Sequence, residues 1–256
     1  MRLIAQATHD TLDVLEFQER IARVTGILYL VIGVLGMFSP IALQTLVVPG
    51  DAATTADNIL GSRWLFGSSL VTWAVLVVAD AAVSVTLYLL LEPASRALSL
   101  VAAALRLVYS AVLGALVLNL YNAFLLLTSV ERGAGLDAQQ RHAMALSSLA
   151  TFSTGFLIAL VFFGVHLVVL GFALYRSRYV PRALGVLIVT AGSGYIVDSL
   201  AHFFVADYGG LVRAFLLTPA VVGELGLTAW LLAKGVKVRP EAVTNPPIAG
   251  ATGNTP

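Results

Sequence analysis

The chain has 256 residues, 59% hydrophobic and 11% charged, with a formal net charge of +1 and a mean hydropathy of +0.91. Soluble globular proteins carry about 25% charged residues, so this composition excludes a soluble domain, and the small net charge gives no nucleic-acid surface. Cysteine is absent, which excludes disulfides, thiolate metal sites and cysteine catalysis.

Residues 1–20 set Ile4, Ala7, Thr11, Val14 and Leu15 on one side at helical spacing, with Asp10, Asp13 and Glu16 on another, the pattern of a short amphipathic surface helix. The same acidic residues interrupt any signal-peptide core, so the first apolar stretch is expected to stay as a membrane anchor. At about 20 apolar residues per span, residues 21–235 hold about six. The first, 23–46, carries Gly26, Gly33 and Gly36, which thin the helix for a close neighbour, and Pro40, placed to kink or end it. The stretch "VPGDAATTADNILGSR" reads as a polar loop.

The second span covers 64–91 and is closed by Glu92-Pro93. The third and fourth, 97–128 and 139–175, exceed what a core of about 30 Å requires. They read as a hairpin whose tip projects past the bilayer, with Asn119, Asn122, His142, Ser147 and Ser148 near or above the interface. The fifth and sixth spans cover 183–204 and 211–233. Residues 236–256 lack a periodic apolar face and read as a disordered cytoplasmic tail. The fold class is an all-α integral membrane protein, a bundle of six transmembrane helices with a short N-terminal amphipathic helix.

With both termini cytoplasmic, that side holds Arg2, Arg20, Arg23, Arg96, Arg176, Arg178, Arg182, Lys234, Lys237 and Arg239. The other side holds only Arg63, Arg132, Arg141 and Arg213, which follows the positive-inside rule. Within "YRSRYVPRALG", Arg176, Arg178 and Arg182 read as interfacial anchors that meet anionic headgroups.

An ionisable group at the bilayer centre costs about 2.5–3.5 kcal/mol, so it faces other helices or a wet cavity. Asp80, Arg106, His166 and Glu224 come from different spans, and residue counts from the charged flanks put them all roughly 15–18 Å deep. The expected arrangement has Arg106 bridging Asp80 and Glu224, because a planar guanidinium fork holds two carboxylates, with His166 a neutral or switchable member. Such a layer serves either as structural ion pairs or as a ligand pocket or proton relay.

Asp198 and His202 share a helix face, with Tyr195 one turn earlier. They sit roughly 24 and 30 Å from the cytoplasmic end, as an outer gate, anchor or mouth in which the carboxylate orients the imidazole. No metal site is expected, since zinc usually needs about three protein ligands and the chain has 4 histidines. No cofactor is identified, and neither a phosphate-binding loop nor a nucleophile elbow occurs.

The run "FFGVHLVVLGFALYRSRYVPRALGVLIVTAGSGYIVDSL", with "LYLLLEPASRALSLVAAALRLV" and "GELGLTAWLLAKGVK", resembles a bacterial membrane-protein family, Domain of Unknown Function 4386. The resemblance implies a multi-pass plasma-membrane protein and no particular activity. The functional expectation is a non-enzymatic protein that binds or moves a small solute, lipid or proton at the layer around Arg106. The alternatives are an accessory or scaffold subunit of a larger membrane complex, or an intramembrane enzyme using Asp198 and His202. The expected partners are the lipid bilayer and a small-molecule or lipid ligand; oligomeric state is not legible in the sequence.

Overall fold

The computed structural model describes residues 2–129, 131, 134–205 and 208–236, with side chains from Leu15 onward. They form seven helices: α1 (Arg2–Leu46), α2 (Ala52–Gly61), α3 (Arg63–Leu91), α4 (Arg96–Thr128), α5 (Ala138–Ser177), α6 (Arg182–Phe204) and α7 (Gly210–Ala233). All but α2 are long and apolar enough to cross a membrane. The long helices pack in chain order as a ring, α1 against α3, then α4, α5, α6 and α7, closed by α7 against α1. Apart from Val236, the expected 236–256 tail lies outside the described residues.

Each neighbour pair is antiparallel, as cross-helix contacts show. On α1 and α3, Gln18 bonds the Leu89 carbonyl, while Ser39 and Ser69 each donate to the other's carbonyl at 3.4 Å. Ser84 of α3 donates to the Ala103 carbonyl of α4 at 2.7 Å, and Asn122 of α4 to Ser148 of α5 at 3.0 Å. Within a bilayer the lipid is as apolar as the helices, so association depends on close packing and hydrogen bonds of this kind.

The α5–α6 seam brings backbone against backbone at four glycines, Gly164, Gly171, Gly185 and Gly192. A methyl group at Gly164 would stand 2.7 Å from the Gly192 carbonyl oxygen, and one at Gly171 would stand 2.7 Å from the Gly185 carbonyl oxygen. These glycines let the two backbones touch. Nearer the start of α5 aromatic rings pack across to α3, where Trp73 meets Phe152 and Phe156 edge-on at 5.2 and 5.5 Å.

At its N-terminal end α1 shows no break near the expected division at residue 20, and it ends at the expected Leu46. The surface helix and the first span lie in one continuous helix, along which Glu16–Arg20 and Glu19–Arg23 pair at helical spacing (2.5 and 3.7 Å) near residue 20. The helix also runs on through Pro40 to Leu46. Pro40 has no N–H, so the Gly36 carbonyl lacks its donor one turn on.

The polar loop after α1 is partly the helix α2. Asp51 caps it, accepting the Thr54 N–H at 2.9 Å and the Thr54 hydroxyl at 2.7 Å. Those bonds hold the Asp51 carboxyl below the usual carboxylate range. Thr55, Ala56 and Ile59 are buried, and α2 packs mainly on α5. Asn58 donates to the Leu46 carbonyl at 3.1 Å, which satisfies an orphan acceptor at the end of α1.

Candidate functional site

Polar side chains inside the ring fall into an interlocked cluster and a set that faces a cavity. Arg106 is fully buried. One terminal nitrogen forms a short ion pair with Asp80 Oδ1; the other donates to the Tyr29 hydroxyl at 3.1 Å and meets His166 Nε2 at 3.2 Å. The guanidinium lies over the rings of Tyr29 and Phe163, at 5.0 and 5.3 Å.

The tautomer of His166 follows from its partners. Nδ1 lies 2.8 Å from the Ala102 carbonyl, which can only accept. Nδ1 therefore carries the proton, and Nε2 offers its lone pair to Arg106. His166 joins α5 to α4, and Arg106 joins α4 to α1 and α3.

The structure thus brings Asp80, Arg106 and His166 together, and corrects the expected bridge to Glu224. Arg106 pairs with Asp80 alone among the carboxylates of the described residues. Glu224 Oε1 instead accepts from the Tyr195 hydroxyl of α6 at 3.0 Å. The equal-depth argument fails here because depth says nothing of azimuth: the aromatic layer of Tyr109, Phe163 and Tyr195 lies between the two groups. Tyr109 and Phe163 are 4.9 Å apart, and Phe163 and Tyr195 are 5.5 Å apart.

The second correction concerns α6. Asp198 does not orient His202 through its carboxylate; His202 Nδ1 bonds the Asp198 backbone carbonyl at 2.8 Å, one helical turn away. The carboxylate turns to α7 and the preceding loop. Asp198 Oδ1 accepts from Tyr208 at 3.0 Å and lies 3.3 Å from Arg213 Nε, while buried Oδ2 has no hydrogen-bond partner among the described residues. Desolvation and the adjoining Asp198 carboxylate hold the Tyr208 phenol above the usual tyrosine range.

A cavity of about 380 Å³ runs between these groups. Its α1 wall is Ile32, Gly33, Gly36, Met37 and Pro40, its α7 wall includes Val221, Glu224 and Leu225, and Trp73, Tyr109, Phe156, Phe163, Tyr195, Asp198 and Arg213 are among the residues that line the rest. α1 and α7 touch at one end, where a methyl group at Gly26 would meet Leu232 at 2.9 Å. Farther along they part: at Gly33 an added methyl would meet nothing within 4 Å. Met37, Val221 and Leu225 line the cavity and are also exposed on the outer surface of the ring, so the cavity opens sideways between α1 and α7. An adjoining cavity, also about 380 Å³, shares Pro40, Trp73, Phe156 and Arg213 with it and includes His202.

Sequence reasoning missed Tyr29, Tyr109, Trp73 and Tyr208, and used Arg213 only for topology. The first two carried a usable signal, being phenols inside apolar spans. Tyr109 also lies three residues after Arg106 on the same helix. The interfacial arginines Arg176, Arg178 and Arg182 fall at the α5–α6 turn, where Arg178 adopts the left-handed cap conformation at φ 58°. Arg176 stacks on Phe172 at 5.6 Å and Arg182 on Tyr175 at 5.4 Å. No group of three or more His, Asp or Glu able to hold a metal occurs among the described residues.

The family model "Domain of unknown function (DUF4386)" matches residues 24–235. An "Uncharacterized protein" of Archaeoglobus fulgidus is 30% identical over 178 residues, covering 70% of this chain and 90% of the relative. No solved structure matches. The chain belongs to the DUF4386 family, and the relative it resembles is archaeal, which does not bear out the bacterial setting that the resemblance implied.

Proposed function

We propose that this DUF4386 protein is a six-pass plasma-membrane protein, with both termini cytoplasmic, that binds or moves a small ligand in the cavity between α1 and α7. The observation that carries the reading is a carboxylate, Glu224, facing a space that reaches the lipid-exposed surface of an otherwise apolar ring. An intramembrane carboxylate away from an ion pair is a costly feature that packing alone does not call for. Asp80, Arg106 and His166 are interlocked and fully covered, so their part is to fix α1, α3, α4 and α5 around the cavity. Glu224, Tyr195 and Asp198 are the ligand-facing groups.

The basic residues support the orientation. Arg20, Arg23, Arg96, Arg176, Arg178, Arg182 and Lys234 gather at the end of the ring that carries the start of α1's apolar part and the end of α7, consistent with a cytoplasmic face. The absence of cysteine makes single-cysteine labelling from either side a direct check.

Native mass spectrometry tests the binding reading. Protein extracted gently from its host is expected to carry a small molecule or lipid that the Gly33→Phe variant lacks, because the added ring fills the space beside Gly33. If wild type and Gly33→Phe carry the same bound species, the cavity is not the site.

A further inference from the structure

The lining of the cavity selects among ligands by charge, an inference that rests on the reading of the cavity as a binding site. The charges around it can be paired off. Arg106 is matched by Asp80, and Arg213 by Asp198. Glu224 has no cation within ion-pair distance among the described residues; its Oε1 accepts a neutral phenol. The space is therefore bordered by an unmatched carboxylate.

Its unmet hydrogen-bonding capacity is mixed, since the Trp73 Nε1 donor on the wall also lacks a partner among the described residues. Asp198 is wholly buried, and its Oδ2 is an acceptor without a donor among the described residues. Pro40 deprives the Gly36 carbonyl, on the α1 wall, of its helical donor. The rest of the wall is aromatic, with Trp73 and Phe156 edge-on to each other on one side and Phe163 and Tyr195 on the other. Aromatic faces together with an unmatched carboxylate attract a poorly hydrated organic cation, while the guanidinium on the wall, Arg213, is already paired with Asp198.

We infer that the cavity takes an amphiphilic organic cation, an amine or quaternary ammonium on an apolar body. The charged end lies among Glu224, Asp198 and the rings, and the apolar part leaves between Met37 and Leu225 toward the lipid. A hydrophilic cation would gain nothing from that exit, which is apolar and faces the bilayer.

The test measures equilibrium binding of octyltrimethylammonium, octyl sulfate and octanol to the full chain in phosphatidylcholine nanodiscs, with Gly33→Phe nanodiscs subtracting partition into lipid. The expected result is saturable binding of the cation, about tenfold or more tighter than either other compound, and lost in Gly33→Phe. Glu224→Gln is expected to weaken the cation by about tenfold and leave octanol unchanged. Should Glu224→Gln fail to fold, the charge series on wild type decides alone. Saturable binding of octanol or octyl sulfate as tight as that of the cation overturns the cationic inference and leaves the cavity reading standing. If no compound separates wild type from Gly33→Phe, both are overturned.

Discussion

Asp80 on α3 and Arg106 on α4 form an ion pair whose side chains are 2% and 1% exposed, inside a ring that offers neither of them water. Tyr29 and His166 add partners to the guanidinium from α1 and α5, while its buried Nε has none among the described residues. A buried pair of this kind contributes little over an apolar isostere, but losing one member leaves an uncompensated charge. Arg106→Gln or Asp80→Asn alone is expected to lower stability by about 3–5 kcal/mol, read as a lower melting temperature in nanodiscs. The double variant Asp80→Leu with Arg106→Met should recover most of it. An Arg106→Gln protein that melts like wild type would show that the cluster does not hold the ring.

The glycine seam gives a contrast between positions. Gly192→Ala places a methyl against backbone of α5, where no flexible side chain can yield, while at Gly67 an added methyl meets nothing within 4 Å. Overpacking of this sort costs about 1–3 kcal/mol. Gly192→Ala should therefore melt lower, and Gly67→Ala should melt at or slightly above wild type, since alanine favours the helix. Equal melting temperatures would mean that α5 and α6 are not in backbone contact.

Most of the helices were legible in the sequence, because span length and hydropathy set them directly. The expected ranges for the later spans differ from α3 to α7 by a residue or two at their ends. What counting could not supply was azimuth. Depth grouped Glu224 with Arg106, yet the aromatic layer of Phe163 and Tyr195 divides them, and only packing reveals that. Spacing joined Asp198 to His202, and their turn is real, but it runs through the backbone carbonyl while the carboxylate reaches across to Arg213. Gly26 was correctly read as a point of close approach, whereas Gly33 borders open space, because α1 and α7 diverge between them. α2 went unseen because ten residues are too few to span a bilayer and the stretch is rich in Thr, Asp and Gly; the Asp51 cap with Thr54 and the one-sided spacing of Thr55, Ala56 and Ile59 were its readable signal.

Asp51 gives a pH dependence whose sign is fixed. Its carboxyl is held low by the Thr54 amide and hydroxyl, so the cap's contribution is fully present above the ordinary carboxylate range. It is lost as pH falls through the depressed value. Hydrogen exchange in α2, compared between wild type and Asp51→Ala at each pH, should show greater protection in wild type at pH about 7, with the difference closing under strong acid. A difference that persists unchanged in acid would remove the charged cap from the account.

Asp198 offers a test of non-additivity. Its buried carboxylate is served by Tyr208 and Arg213 through the same oxygen, and Arg213 keeps 46% of its side chain exposed. Either partner alone can keep the carboxylate attached to the loop and α7. Tyr208→Phe and Arg213→Gln are each expected to cost about 1 kcal/mol or less, since each leaves the other donor on the same carboxylate oxygen and Arg213 is half exposed. Together they strand a carboxylate that is fully buried, so the double variant should lose more than the sum, by about 1–3 kcal/mol. Thermal melts of the wild type, both single variants and the double complete the cycle. A strictly additive cycle would mean that Asp198 finds another donor when these two are gone, and its unpartnered Oδ2 would then not mark the wall of a binding site.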